Sequence, residues 1–240
     1  SMGRSKYDLY AGVDVQANGY NTQHSLIKTM IEYIMLFILI AFSMSITFMI
    51  GIRGFVSVWV SKDNYLLSYL TIVLFTSTLF LNILYYPLVA LINAKGLFKE
   101  NKRHIFICAT TNLLLSIILI NYLGINGVLL GTIISFFLNI LLKVSLTSKK
   151  ILQDIKLINI LKYYIITIIL FIVLSLIIIP VESYFLSTST GFITTILKLG
   201  VVFIIIVGVT SLILYIVSKD ARNLFERVIT LLKRKLKKTF

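Results

Sequence analysis

The sequence predicts an all-α integral membrane protein with six transmembrane helices, and three observations predict it. First, 58% of its 240 residues are hydrophobic and only 13% are charged, with a mean hydropathy of +0.98. That is more apolar surface than a soluble domain of this size can hide. Second, the apolar residues gather into runs of about 18 or more, the length that crosses a bilayer core as a helix. Third, basic connectors separate the runs and fall on alternate sides, as in a chain that threads a membrane repeatedly.

Residues 1–32 carry Arg4, Lys6 and Lys28 against Asp8, Asp14 and Glu32 and read as a water-facing connector. The first span is expected over 33–52, about 30 Å of helix at 1.5 Å per residue, with Arg53-Gly54 ending it. Trp59, in the short connector 53–64, suits the headgroup level. The second span, 65–92, is longer than a crossing needs. Pro87 removes a backbone donor near its end, so a kink is expected there. The third and fourth spans, 105–123 and 125–142, form a tight hairpin about the turn Gly124-Ile125-Asn126-Gly127.

Residues 143–162 hold five lysines, with Ile151, Ile155 and Ile158 at a helical spacing that suits an in-plane helix. The fifth span, 163–181, is expected to stop at Pro180, and a loop rich in Ser and Thr follows over 182–194. The sixth span, 195–217, contains Lys198, Gly200 and Gly208. In the tail, 218–240, Phe225, Ile229, Leu232 and Leu236 share one face of a helix whose other face is basic, a pattern for anionic headgroups. Domain limits are therefore a connector at 1–32, a six-helix domain at 33–217 and a basic tail at 218–240.

Orientation follows from charge. Connectors 1–32, 93–104, 143–162 and 218–240 hold 20 of the 23 Lys and Arg residues, connectors 53–64, 124–127 and 182–194 hold two, and Lys198 is the last. Since Lys and Arg are retained on the cytoplasmic face, both ends are expected inside. The positive charge is thus accounted for by topology, and no aromatic-interleaved basic patch points to nucleic acid. The single cysteine, Cys108, and the separated His24 and His104 offer no disulfide framework and no metal-ligand spacing. Nine scattered acidic residues form no acid–base pair or metal cluster, so no enzyme and no cofactor are expected.

Candidate functional residues are the polar groups within or bordering lipid, because desolvating them is costly. Arg53 is either an interface anchor beside Trp59 or a cavity cation that meets a diphosphate or acidic sugar, for which guanidinium is well shaped. Lys198 poses the same choice. Asn82, Asn112 and Asn139 lie deep in three spans and serve helix–helix hydrogen bonding or a polar path. Gly127 and Gly131 form a small-xxx-small pair for close packing. Lys95, Lys99, Lys102 and Arg103 mark topology first and an anionic-lipid or inner-gate contact second.

Four stretches carry a resemblance: FVSVWVSKDNYLLS at 55–68, NAKGLFKENK at 93–102, TNLLLSIILI at 111–120 and GINGVLLGTIIS at 124–135. In this order and spacing they resemble the polysaccharide transporter family, the bacterial flippases for lipid-linked O-antigen and capsule repeat units. Its superfamily also holds multidrug and toxic-compound extruders. The resemblance implies the C-terminal portion of a two-lobed fold of 12–14 helices, with eight helices preceding Ser1, where no signal-peptide core is seen. It implies alternating-access movement of an undecaprenyl-diphosphate-linked oligosaccharide across a bacterial plasma membrane. Implied partners are that lipid-linked substrate, anionic lipids, the missing N-terminal helices, polysaccharide polymerase and glycosyltransferases. A multidrug or cation extruder is the alternative, but it calls for a mid-span carboxylate, and Glu32 and Glu182 stand at span ends. A non-transporting membrane scaffold is a further alternative.

Overall fold

The computed structural model describes residues 23–60, 67–151, 157–187, 191–217 and 221–230. The lysine-bearing stretch 152–156, the loop residues 188–190, Lys62, and Leu232 and Leu236 of the expected tail helix lie outside these residues, as does most of the N-terminal connector.

The chain folds into α1 (Gln23–Val60), α2 (Tyr69–Leu84), α3 (Tyr86–Ala94), α4 (Phe98–Leu123), α5 (Ile125–Lys150), α6 (Leu157–Ser187) and α7 (Phe192–Val217). A further helical stretch covers 221–230. No strand occurs among the described residues. α1 does not stop at Arg53-Gly54 but continues to Val60. A glycine inside a helix costs only about 1 kcal/mol, which the packing of α1 against α2, α6 and α7 outweighs.

Ser68 caps α2 by accepting the Thr71 N–H at 3.2 Å. The expected kink is present: α2 ends at Leu84, Tyr85 caps it, and Pro87, which has no N–H to give, occupies the first turn of α3. α3 closes in a Schellman motif. Gly96, at φ +70°, donates to Asn93 O at 2.9 Å, and Leu97 N donates to Ile92 O at 3.1 Å. The hairpin turn is tighter than expected. Gly124 alone separates α4 from α5, at φ +56° and ψ −136°, a backbone region suited to glycine. α4 also begins earlier than the expected span, so Lys99, Lys102 and Arg103 stand on its polar first turns rather than in a loop. Pro180 does not stop α6, which runs through it to Ser187.

α1 is central, packed by α2, α6 and α7, while α5 is packed by α4, α2, α3 and α6. At the heart, the Phe80 and Phe171 rings stack at 4.0 Å, and Phe42 meets Phe80 edge-on at 5.2 Å. Gly127 and Gly131 let α4 and α5 touch backbone to backbone, because a Cβ on Gly127 would lie 2.3 Å from Leu119 O. The close-packing reading of that pair is therefore the one its geometry supports.

Ser43 and Thr210 share a hydrogen bond at 3.2 Å midway along α1 and α7, and further cross-helix polar contacts mark the two ends. At the basic end, Arg227 pairs with Glu32 at 2.8 Å, Asn101 bonds Asn93 at 3.0 Å, and Lys150 pairs with Glu100. At the other end, Arg53 pairs with Glu182 at 3.5 Å, Tyr69 bonds Ser183 at 2.8 Å, and Thr71 bonds Asn126 at 2.9 Å. Successive helical segments thus run antiparallel, α2 and α3 acting as one. Five of these units are long and apolar enough to cross a bilayer: α1, α2 with α3, α4, α5 and α7. α6, in the place of the expected fifth span, has a shorter described apolar stretch, Tyr164–Ile178. The outer faces of α4 and α7 expose large apolar side chains such as Leu113, Ile117, Ile204 and Leu212, a surface that belongs in lipid. The protein is an all-helical, membrane-embedded chain.

Candidate functional site

Between α4, α5 and the α2–α3 junction lies a cavity of about 280 Å³. It occupies the hairpin between the Gly127–Leu119 contact and the basic end. Its polar lining comes from Asn112 on α4 and from Thr132, Ser135, Asn139 and Lys143 on α5, and its apolar lining includes Tyr85, Val89, Ile105 and Phe136.

Lys143 is its unusual member. The sequence counts it among the cations of the 143–162 connector, but the residue belongs to α5, with its side chain wholly buried, and not to a connector. Its Nζ donates to Asn101 Oδ1 at 2.7 Å, and Asn101 Nδ2 in turn donates to Asn93 Oδ1 at 3.0 Å. The Tyr85 ring lies beside it, 5.9 Å from Nζ to the centroid. Lys143 forms no ion pair among the described residues. Asn139 keeps its amide oxygen buried with no hydrogen-bond donor among the described residues. Asn112 Oδ1 accepts from Ser116 at 3.2 Å and Thr132 at 3.3 Å, so its NH2 is the group it can offer the cavity.

Of the residues singled out from sequence, Asn112 and Asn139 line this cavity and Arg53, Asn82 and Lys198 do not. Lys198 is exposed on α7, and Asn82 is half-buried on α2. Arg53 stands at the far end, its guanidinium 4.6 Å from the Tyr69 ring centroid and 3.5 Å from the buried Glu182. It is tied to protein rather than simply anchored beside Trp59. Lys95, Lys99, Lys102 and Arg103 are exposed around the α3–α4 corner and flank the Asn101 bridge. No cluster of three His, Cys, Asp or Glu that could hold a metal occurs among the described residues.

Sequence reasoning missed Lys143 and Asn101, although a signal was present. Gly127, Gly131, Ser135, Asn139, Lys143 and Thr147 recur every fourth residue along α5, and all are buried. A small and polar stripe on an otherwise apolar helix marks the face turned to protein rather than lipid.

The fold and the site together define a membrane-embedded helical protein with a cation-bearing polar cavity inside its central hairpin. Scans of the chain against protein-family models, curated proteins and solved structures return no match.

Proposed function

We propose that this chain is part of a transporter that carries a lipid-linked oligosaccharide across a bacterial plasma membrane by alternating access, with both ends of the chain cytoplasmic. The observation that carries the reading is Lys143: an ammonium buried among spanning helices with no carboxylate partner among the described residues costs a few kcal/mol or more, which makes sense when an anionic cargo completes the site. A sugar–diphosphate headgroup cannot enter hydrocarbon unaided, and a polar, cationic cavity replaces its water. The resemblance across 55–135 supports the same reading, since α4 and α5 carry most of those residues. So does the partition of basic residues, which stands with Lys143 removed from it.

The extruder alternative draws on the two buried carboxylates, Glu32 and Glu182, but each is neutralised by an arginine at a helical end rather than standing in the cavity. The test is Lys143→Met in the intact protein in its own host. Surface glycan is expected to fall at least about tenfold, the effect of losing about 1.4 kcal/mol of cargo binding, with lipid-linked precursor accumulating at normal protein level. Unchanged surface glycan sinks the proposal, and lost drug resistance in Glu182→Gln cells with intact glycan favours the extruder.

A further inference from the structure

We propose that the α4–α5 cavity is a subsite for a single acidic sugar, a hexuronate unit, rather than for a bare phosphate or a neutral sugar. The source of that sugar, a unit of the cargo, rests on the transport reading. The recognition chemistry rests on the cavity alone.

Two unmet demands set the ligand. The Lys143 ammonium has three N–H donors, of which Asn101 takes one, and it has no carboxylate partner among the described residues. It calls for an anion. Asn139 Oδ1, buried with no donor among the described residues, calls for an O–H or N–H. An ionised carboxylate or a phosphate diester only accepts hydrogen bonds and cannot meet that second demand, whereas inorganic phosphate keeps an O–H at neutral pH but offers no C–H face to the apolar part of the lining. A neutral sugar supplies hydroxyls but leaves the ammonium without a counter-charge. A hexuronate has a carboxylate and several hydroxyls on one rigid ring, so it answers both demands at once.

The remaining lining agrees. Asn112 is held with its NH2 as the donor to offer, and Ser135, whose hydroxyl donates to Gly131 O at 2.9 Å, adds an acceptor oxygen to the same lining. Tyr85 and Phe136 form an aromatic wall, their rings 5.7 Å apart and inclined by 26°, against which the C–H face of a sugar ring packs. A volume of about 280 Å³ is just below the usual range for drug-sized ligands. It holds one ring and not a disaccharide repeat.

The experiment is ligand-detected NMR on the intact protein in lipid nanodiscs, with glucuronate, glucose and inorganic phosphate as the probes. Glucuronate is expected to bind at least about tenfold tighter than glucose or phosphate, one unit of 1.4 kcal/mol in affinity. Lys143→Met is expected to bring glucuronate down to the glucose level while leaving glucose unchanged, and Asn139→Ala to weaken both sugars. Glucose binding as well as glucuronate would overturn the proposal, and so would phosphate displacing glucuronate at equal concentration, which would make this a simple oxyanion site. The three-ligand comparison on the unmutated protein decides the matter even if a variant misfolds. Loss of glucuronate preference with surface glycan still dependent on Lys143 would remove this subsite and leave the transport reading standing. The reverse pair of results would do the opposite.

Discussion

At the scale of single residues, the buried charges in this chain are handled in two ways. Glu182 is 2% exposed and faces Arg53 at 3.5 Å, a distance at which attraction is Coulombic and neither carboxylate oxygen has a hydrogen-bond donor. Such a pair contributes little net stability, yet removing one partner strands the other. We expect Arg53→Met to destabilise the protein by ~3 kcal/mol, and Arg53→Met with Glu182→Gln by clearly less. Thermal unfolding in detergent, read as a double-mutant cycle, checks this, and additive losses would show that the pair is not coupled. Lys143 follows the other pattern. It has an amide acceptor in Asn101 but no counter-charge among the described residues, and so it is the residue to which the functional proposals attach.

At the scale of elements, local signals were obeyed where nothing opposed them and overridden where tertiary contacts did. Pro87 broke the second span as its chemistry requires, and Gly124 and Gly96 took the positive φ values that glycine permits. Pro180 and Gly54 did not end their helices, since packing on neighbours outweighs one lost hydrogen bond or one unfavourable propensity. The two kinds of glycine give a sharp prediction. At Gly127 a Cβ would meet the Leu119 backbone at 2.3 to 2.5 Å, whereas nothing lies within 4 Å of a Cβ on Gly200. Gly127→Leu is expected to separate α4 from α5 and lower the yield of folded protein, at a cost above about 3 kcal/mol for overpacking against backbone. Gly200→Ala is expected to be within about 0.5 kcal/mol of neutral. Equal behaviour of the two in detergent-solubilised yield would refute the close approach.

At the scale of the whole molecule, the antiparallel run of helices places Lys99 and the Gly124 turn at opposite ends of the hairpin. In a Cys108→Ser background, Ile125→Cys should react with a membrane-impermeant maleimide on intact cells. Lys99→Cys should react only after permeabilisation. The reverse pattern would invert the proposed orientation, and with it the face from which the proposed cargo would enter. Either result leaves the helical architecture intact, because that rests on apolar length and not on the direction of insertion.

The helical, membrane-embedded class of this protein was determined by its sequence alone, together with the kink at Pro87 and the Gly124 hairpin. Those features depend on properties that neighbouring residues share: run length, hydropathy and backbone freedom. Only the tertiary structure decided that Lys143 meets Asn101, that Arg53 meets Glu182, and that Asn112 and Asn139 share a cavity while Asn82 stands apart. The partners in the Lys143–Asn101 and Arg53–Glu182 contacts are 42 or more positions apart in the chain, and which helix face meets which is set by packing across the bundle. Hydropathy assigns a lysine at a span's edge to water. The fold is what turned this one inward.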